Sequence, residues 1–430
     1  MSPAAATTNR PQEQVSVLRL SLHGTVIGHL AGYQGGRTVL VFDPAYVAST
    51  QRPTFTLTGL PQHPASATVF AKPWLRQQRL HPVLSNLLPE GALREWLAQQ
   101  LKVHPDNEFP LFALLSNDLP GALQAHAVKP DEIPEGVLDF RTSVEPVPRA
   151  VERPYAHFSL AGVQMKFSVR ERDRRYTISA ADALGDWIIK TPSTRHTGVP
   201  VNEFTAMKLA ELAGINIPEI RLVPLTSLDN LPPLNLPQEE HAFAIRRFDR
   251  TAAGERVHAE DFAQVLFKYP HEKYGNANAE MLGRIVRGFT SQALANTQQL
   301  ARRLLVNVLL GNGDAHLKNW SLWYPDQINA ELAPAYDILY TQAFVPNEKE
   351  QAMNLGGHKD WYTLETSHFE EWSRAVGVPW RVIRPHLLDT LERARTLWPA
   401  YLEEAPMLET HKLLLRHHWK SLPKKLQYGL

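Results

Sequence analysis

The sequence predicts an α+β chain in three parts: a small mixed domain, a β-rich lobe carrying one helix, and a helical lobe. Three observations predict it. Short runs of alternating apolar residues, bounded by Gly and Pro, open the chain and recur over residues 166–248. From Pro82 to Leu101, and again beyond Ala259, the apolar spacing lengthens to a helical period. Between them, Lys129 to Pro154 carries Pro130, Pro134, Pro146, Pro148 and Pro154 among charges, the composition of a linker. Residues 1–14 are expected as a disordered tail, 15–127 as the first domain and 128–156 as the linker. Residues 157–250 form the expected β-rich lobe, and 251–430 the helical one.

Each element has a local reason. Val15, Val17 and Leu22 alternate with polar residues, and His23-Gly24 offers a turn into Thr25-Val26-Ile27. Thr38 to Phe42 and Thr54 to Thr58 are further β-rich runs. Leu84, Leu87, Leu88, Leu93, Trp96, Leu97 and Leu101 fit helical faces interrupted by Pro89-Glu90-Gly91. Lys166 to Val169, Arg175 to Ile178, Trp187 to Lys190, Ile220 to Val223 and Phe243 to Phe248 read as strands. Asn202 to Ala213 reads as a helix stopped by Gly214, and Gln298 to Leu310 is the clearest later helix.

The chain has 430 residues, 43% hydrophobic and 21% charged, with a formal net charge of +1. No strong global field draws it to polyanions or membranes. The absence of cysteine excludes disulfides, thiolate nucleophiles and Cys-ligated metals. No apolar run approaches the ~20 residues of a membrane helix, and residues 1–14 lack a signal-type segment. A soluble, cytoplasmic protein is expected.

The most informative stretch is Gly311-Asn312-Gly313-Asp314-Ala315-His316-Leu317-Lys318-Asn319, where an apolar helix runs into an Asn-Gly turn. Phosphoryl transfer needs a carboxylate to orient the attacking hydroxyl and oxygen ligands for Mg²⁺. Asp314 and Asn319 stand five residues apart, as do the Asp and Asn of the protein-kinase catalytic loop. Lys318 lies between them. Asp337, eighteen residues beyond Asn319, returns beside it if two strands and a short turn intervene. Lys190 ends an apolar strand and Glu203 opens a helix, the pairing that fixes nucleotide phosphates in kinases. Each feature alone also has a structural reading: a polar turn, a capping Asp, a solvated edge Lys. The order Lys, Glu, Asp, Asn, Asp is the kinase order. No G-x-G-x-x-G precedes Lys190; Ser159 to Lys166 stands in its place, offering backbone N–H groups and one charge.

Taken in order, Ser159 to Val169, Trp187 to Thr191, Asn202-Glu203-Phe204, Arg247-Phe248-Asp249-Arg250, His258 to Phe262, Gly311 to Asn319 and Tyr336-Asp337 resemble the motifs of the HipA family. Asn86 to Gly91 and Asp118 to Leu123 resemble its N-terminal domain. The resemblance covers roughly residues 15 to 400. It implies a bilobal protein-kinase-like fold, with a β-rich N-lobe and a helical C-lobe, behind the small α+β domain. It also implies a serine/threonine kinase acting as the toxin of a toxin–antitoxin pair, with ATP and Mg²⁺ as cofactors. Asp314 would be the general base, helped by Lys318, and Asn319 and Asp337 would hold the metal. Lys190 and Glu203 would serve the phosphates, and Ala161, Gly162, Val163, Gln164, Met165 and Lys166 the nucleotide loop. The backbone of Arg246, Arg247 and Phe248 would be the adenine hinge, with Arg246 standing where relatives often carry Glu. His316, Lys318 and Tyr336 would line the nucleotide site. Ser159 would be an inactivating autophosphorylation site.

The implied substrate is an aminoacyl-tRNA synthetase, the glutamate enzyme first, whose phosphorylation halts translation and promotes dormancy. The implied partner is a HipB-like helix-turn-helix antitoxin, through which operator DNA is met. A small-molecule phosphotransferase and a pseudokinase co-repressor scaffold are the alternatives. His417-His418 reads as a solvated helix face, and the tryptophans at 361, 372, 380, 398 and 419 as core anchors.

Overall fold

The computed structural model describes residues 11–116, 118–139, 144–151, 166–178, 184–231, 236–275 and 277–427. The chain divides into two compact units, 1–156 and 157–430.

The first unit is built on β1 (Gln12–Leu22), β2 (Thr25–Tyr33), β3 (Arg37–Phe42), β4 (Trp74–Gln77), β5 (Leu123–Ala127) and β6 (Glu145–Pro148) in the order β4-β3-β2-β1-β5. β1 and β2 are joined by His23 and Gly24, both at positive φ (48° and 79°), as the tight hairpin turn that matches strand twist requires. Helices α1 (Pro44–Ala48), α2 (Ser66–Val69), α3 (Pro82–Ser85), α4 (Gly91–Gln100) and α5 (Glu108–Leu115) complete it.

Three expectations differ here. Thr54 to Thr58 is not a strand: Leu57–Gly59 forms a 3₁₀ turn, because Pro53 and Gly59-Leu60-Pro61 interrupt the run at both ends. The segment read as a linker is largely built into the unit. β6 pairs parallel with Gln12 to Val15 of β1, and Val128 and Val137 are buried with Val15, Val17, Ala31, Tyr33 and Val39. Pro146 and Pro148 lie on β6, an edge strand, where no central ladder needs their N–H groups. β1 likewise starts at Gln12, inside the expected tail.

The second unit opens with a sheet of β7 (Lys166–Arg172), β8 (Arg175–Ile178), β9 (Trp187–Lys190), β10 (Ile220–Pro224), β11 (Leu228–Asp229) and β12 (His241–Arg246), ordered β10-β12-β9-β7-β8-β11. Central β9 is flanked by β7 and β12, so Lys190 lies opposite both Lys166 and Phe243. Helix α6 (Val199–Leu212) follows β9. It enters through Gly198 at φ 75° and is left through Gly214 at φ 90°, the left-handed exit that favours glycine.

The rest is mainly helical: α7 (Phe262–Val265), α8 (Ala279–Phe289), α9 (Ala293–Leu309), α10 (Thr366–Val376), α11 (Trp380–Glu404) and α12 (Glu409–Ser421). It is less uniformly so than the sequence predicts. β13 (His258–Asp261), β14 (Ser321–Tyr324) and β15 (Glu331–Leu332) make a small antiparallel sheet, and β16 (Glu350–Leu355) pairs with β17 (His358–Asp360). Trp361, Trp372, Trp398 and Trp419 are fully buried, whereas Trp380 at the start of α11 is half-exposed. His418 is a correction. It is buried, its Nε2 bonded to Val308 O (2.9 Å) and its Nδ1 to the Tyr362 hydroxyl (3.1 Å).

Candidate active site

The loop after α9 is shaped by how that helix ends. The last turn of a helix leaves carbonyls without intrahelical partners. Here Trp419 Nε1 donates to Leu309 O (2.8 Å) and His418 covers Val308 O. Asn312 N–H returns to Asn307 O (2.9 Å) and Gly311 N–H to Val308 O (3.2 Å), the paired bonds of a Schellman cap. Gly311 takes the left-handed position at φ 55°. The sharp reversal is therefore at Gly311, one residue before the expected Asn-Gly turn. Gly313 is needed for space instead: a Cβ there would stand 2.3 Å from the Glu348 carboxyl. Its N–H donates to Thr341 Oγ1 (2.8 Å).

That cap delivers Asp314 to the surface with a fixed backbone. Asp314 N–H donates to Asn312 Oδ1 (3.2 Å). Its carbonyl accepts from His316 N–H (2.7 Å) and from Asn319 Nδ2 (2.7 Å), so Asn319 closes the loop on itself. The Asp314 side chain is half-exposed and accepts the Tyr274 hydroxyl at 2.5 Å. His316 Nε2 lies 3.9 Å from Asp314 Oδ1, while its buried Nδ1 has no hydrogen-bond partner among the described residues. Burial pushes the His316 pKa down, so the ring is neutral at pH 7. Lys318 turns toward Asp261, 3.9 Å away at the N-cap of α7.

Asp337 is brought back by the predicted route. β14 pairs with β15 through Leu322 and Leu332. The following stretch is tied down where Ala335 N–H meets Asn216 O (2.8 Å) and Tyr340 meets Asn202 of α6. Asp337 itself sits at φ 54°, a conformation uncommon for non-glycine residues and concentrated at functional sites. It lines one small cavity whose polar side chains are Asn319, Asn312, Asn307, Tyr336 and Arg303. Arg303 is 3% exposed and its Nε has no hydrogen-bond partner among the described residues; burial pushes its pKa down to about 9.

Two lysines converge on this carboxylate, and a second carboxylate, Glu203, backs one of them. Lys190 Nζ pairs with both Glu203 of α6 and Asp337, and Lys166 Nζ reaches Asp337 at 3.3 Å. Burial opposes ionisation of Asp337, but Lys166 and Lys190 outweigh it and hold the carboxyl far below its ordinary range. Burial likewise opposes the Lys190 ammonium, and Asp337 and Glu203 raise it above its ordinary value. For Glu203, at 1% exposure, burial wins and the pKa rises.

Phe248 stacks on Tyr336 (ring centroids 5.7 Å, interplanar 26°), and the Tyr336 hydroxyl donates to Lys318 O (2.9 Å). Arg246 and Arg247 N–H groups are already bonded to Glu219 O (2.8 Å) and Asp186 O (2.9 Å), so Phe248 carries the remaining hinge N–H. The Arg247 guanidinium is buried against Asp249 through two bonds (2.9 and 2.7 Å) and against Ser168. The Arg246 side chain points to Glu219 (3.6 Å). Ser159, Ala161, Gly162, Val163, Gln164 and Met165 lie outside the described residues.

Of the expected residues, then, Lys166, Lys190, Glu203 and Asp337 meet directly, and Asn319 shares a cavity with Asp337. Asp314, His316 and Asn319 share one loop. Sequence reasoning missed Tyr274, Arg303, Thr341 and Glu348. None lies in a recognisable motif; the one available signal was Arg303, a charge on the buried stripe of α9.

The donor set suits a phosphate-bound divalent cation. Among the described residues no three His, Cys, Asp or Glu side chains come together as a metal cage, and two lysines stand beside the one strongly ionised carboxylate. Mg²⁺ is commonly held in this way, by one or two carboxylates plus substrate phosphates.

Comparison with known proteins agrees with this architecture. The HipA-like C-terminal domain matches residues 158–398 and the HipA N-terminal domain matches residues 18–126. A "putative kinase Y4dM" of Sinorhizobium fredii is 38% identical over 397 residues, 92% of this chain and 94% of that protein. The "serine/threonine-protein kinase toxin HipA" of Shewanella oneidensis is 24% identical, covering 79% of this chain and 81% of that one. A chain from the solved complex of the Shewanella oneidensis HipA, HipB and operator DNA superposes with a TM-score of 0.69 at 20% identity, covering 95% and 96% of the two chains. That likeness gives the fold: an N-terminal α+β domain and a kinase-like domain with β-rich and helical parts. No helix among the described residues is long and apolar enough to cross a membrane. With a family match over more than half its length and a 38% identical relative along nearly all of it, the chain belongs to the HipA family.

Proposed function

We propose that the protein is a Mg-ATP-dependent serine/threonine protein kinase, the toxin of a toxin–antitoxin pair. The observation that carries this reading is the convergence of Lys190, Glu203 and Asp337 in one buried ion cluster, with Asn319 on the same cavity and Asp314 on the same loop as Asn319. Mg-ATP, when bound, supplies the transferable phosphoryl group and the cation that offsets its charge. Asp314 accepts the proton of the attacking hydroxyl at its carboxylate. Asn319 and Asp337 would hold the cation. Lys190, oriented by Glu203, and Lys166 bind phosphate oxygens; Phe248 offers its N–H to the base and stacks with Tyr336 at the pocket edge. Lys318, anchored on Asp261, keeps a positive charge near the loop, and neutral His316 leaves the Asp314 carboxylate uncompensated.

The family supports a protein acceptor, here an aminoacyl-tRNA synthetase with the glutamate enzyme as first candidate, and inactivation by autophosphorylation at Ser159. It also supports a HipB-like antitoxin that brings the toxin to operator DNA. The test is incubation of dephosphorylated protein with Mg²⁺ and labelled ATP, comparing wild type with Asp314→Asn, followed by peptide mass spectrometry. Label on Ser159 in wild type and none in the variant is expected. Transfer to a sugar or aminoglycoside but to no protein would overturn the toxin reading in favour of a small-molecule phosphotransferase. Failure to bind Mg-ATP at all would leave a scaffold.

A further inference from the structure

The carboxylate proposed as base already holds a hydroxyl. Tyr274, in the turn after Tyr269-Pro270, donates its O–H to Asp314 Oδ1 at 2.5 Å. Its ring meets His316 edge-on at 4.9 Å, and the neighbouring Lys273 carbonyl accepts the Leu317 N–H at 3.3 Å. The turn is thus tied to the catalytic loop. Yet Tyr274 remains 54% exposed and Asp314 half-exposed, so the contact can open without unfolding anything.

A general base must lie within about 2.6–3.2 Å of the oxygen whose proton it takes. The Tyr274 hydroxyl meets that geometry in the place of an acceptor. It is not needed as a brace for Asp314, because the loop is already fixed by Asn312, His316 and Asn319 through the Asp314 backbone. We propose that Tyr274 is an acceptor-site residue. Its hydroxyl stands in for the hydroxyl to be phosphorylated, and an incoming serine or threonine, or water, must displace it from Asp314. This rests on the kinase reading above.

Tyr274→Phe tests it, since the ring and its packing on His316 stay while only the hydroxyl goes. The assay is Mg-ATP hydrolysis by dephosphorylated full-length protein with no added acceptor. In that reaction the water oxygen bonds to the γ-phosphorus, the bond to the β–γ bridging oxygen breaks, ADP leaves, and the proton passes to Asp314. Loss of one charge-assisted hydrogen bond to the base predicts roughly a ten-fold faster hydrolysis, with KM for ATP within about two-fold because the phenol lies on the acceptor side. Asp314→Asn measures the background. Hydrolysis that depends on Asp314 but is unchanged or slower in Tyr274→Phe overturns this inference alone. Phosphate found on Tyr274 of the wild type also overturns it, by making the residue an acceptor rather than a stand-in. Absence of Asp314-dependent turnover in both proteins sinks the kinase reading and this inference with it.

Discussion

Replacing Lys190 by Met removes the cation that pairs with Glu203 among the described residues. Lys190 and Glu203 side chains are 5% and 1% exposed, so solvent screens neither. Breaking a buried pair by deleting one partner costs about 3–5 kcal/mol, because the other charge is stranded. The structure supplies a tighter bound. Glu203 can escape by taking a proton, and doing so at pH 7 from its ordinary value of 4.5 costs about 3 kcal/mol. Asp337 keeps Lys166 at 3.3 Å and adds little to the loss. The deficit at pH 7 should therefore be about 3 kcal/mol. Its pH dependence has a fixed sign. Burial already raises Glu203 in the folded state, and losing Lys190 raises it further. Such a group stabilises fully below its unfolded pKa and loses that contribution as pH rises, so the deficit should shrink by about 1.4 kcal/mol per unit on going from pH 7 toward 4.5. Urea unfolding of wild type, Lys190→Met and Lys190→Met/Glu203→Gln at pH 5, 6 and 7 is the assay. The double variant should recover most of the loss, since neutral Gln needs no counterion. A deficit below about 1 kcal/mol at pH 7, or one that does not shrink with acid, would refute the reasoning.

Phe248→Ala removes the ring stacked on Tyr336 and set edge-on to Trp323 (6.2 Å); KM for ATP should rise about ten-fold with kcat within a few-fold, read in steady-state kinetics. Gly283→Ala gains up to ~1 kcal/mol of helix propensity in α8. The new methyl would meet Val376 Cγ2 at 2.3 Å and Trp372 at 3.0 Å, so a net loss of roughly 1 kcal/mol in urea unfolding is expected. Fully buried His418 has its pKa lowered by burial to about 4 from 6.5. The unfolded chain thus binds this proton more tightly, and stability should fall by up to about 3 kcal/mol between pH 6.5 and 4. His418→Gln should flatten that slope in acid unfolding curves.

How far the fold could be read varied with what fixes each element. β8 and β9 have their expected bounds because turn residues end them: Asp173 and Arg174 at positive φ precede β8, and Pro192 follows β9 closely. β6 could not be read, since its partner is β1, more than 130 residues earlier, and its prolines mimic a linker. His418 looked like half of a solvated pair because the sequence cannot show that α12 lies against the end of α9. The same limit hid Tyr274 and Glu348. Asp314, Asn319 and Asp337 were legible through local spacing, whereas Tyr274 reaches Asp314 across forty residues with no motif around it.

The ion cluster also argues for why the site has the charges it has. Lys166, Lys190, Glu203 and Asp337 sum to zero, and three of the four side chains are at most 17% exposed. An isolated buried Asp337 would be driven to take up a proton; with a lysine on each of two paired strands it stays ionised. Those lysines face each other in register, an arrangement that repels unless an anion lies between them. Asp337, held at a strained φ, is that anion here. On the proposed function the two lysines would exchange it for phosphate oxygens, leaving the Asp337 carboxylate available to a metal while Glu203 keeps Lys190 in line. Glu203 is thus the member that must remain in both states, which explains its place on α6. Asn202, its neighbour, bonds both the N–H and the carbonyl of Tyr340, so the helix that fixes Lys190 also fixes the segment carrying Asp337.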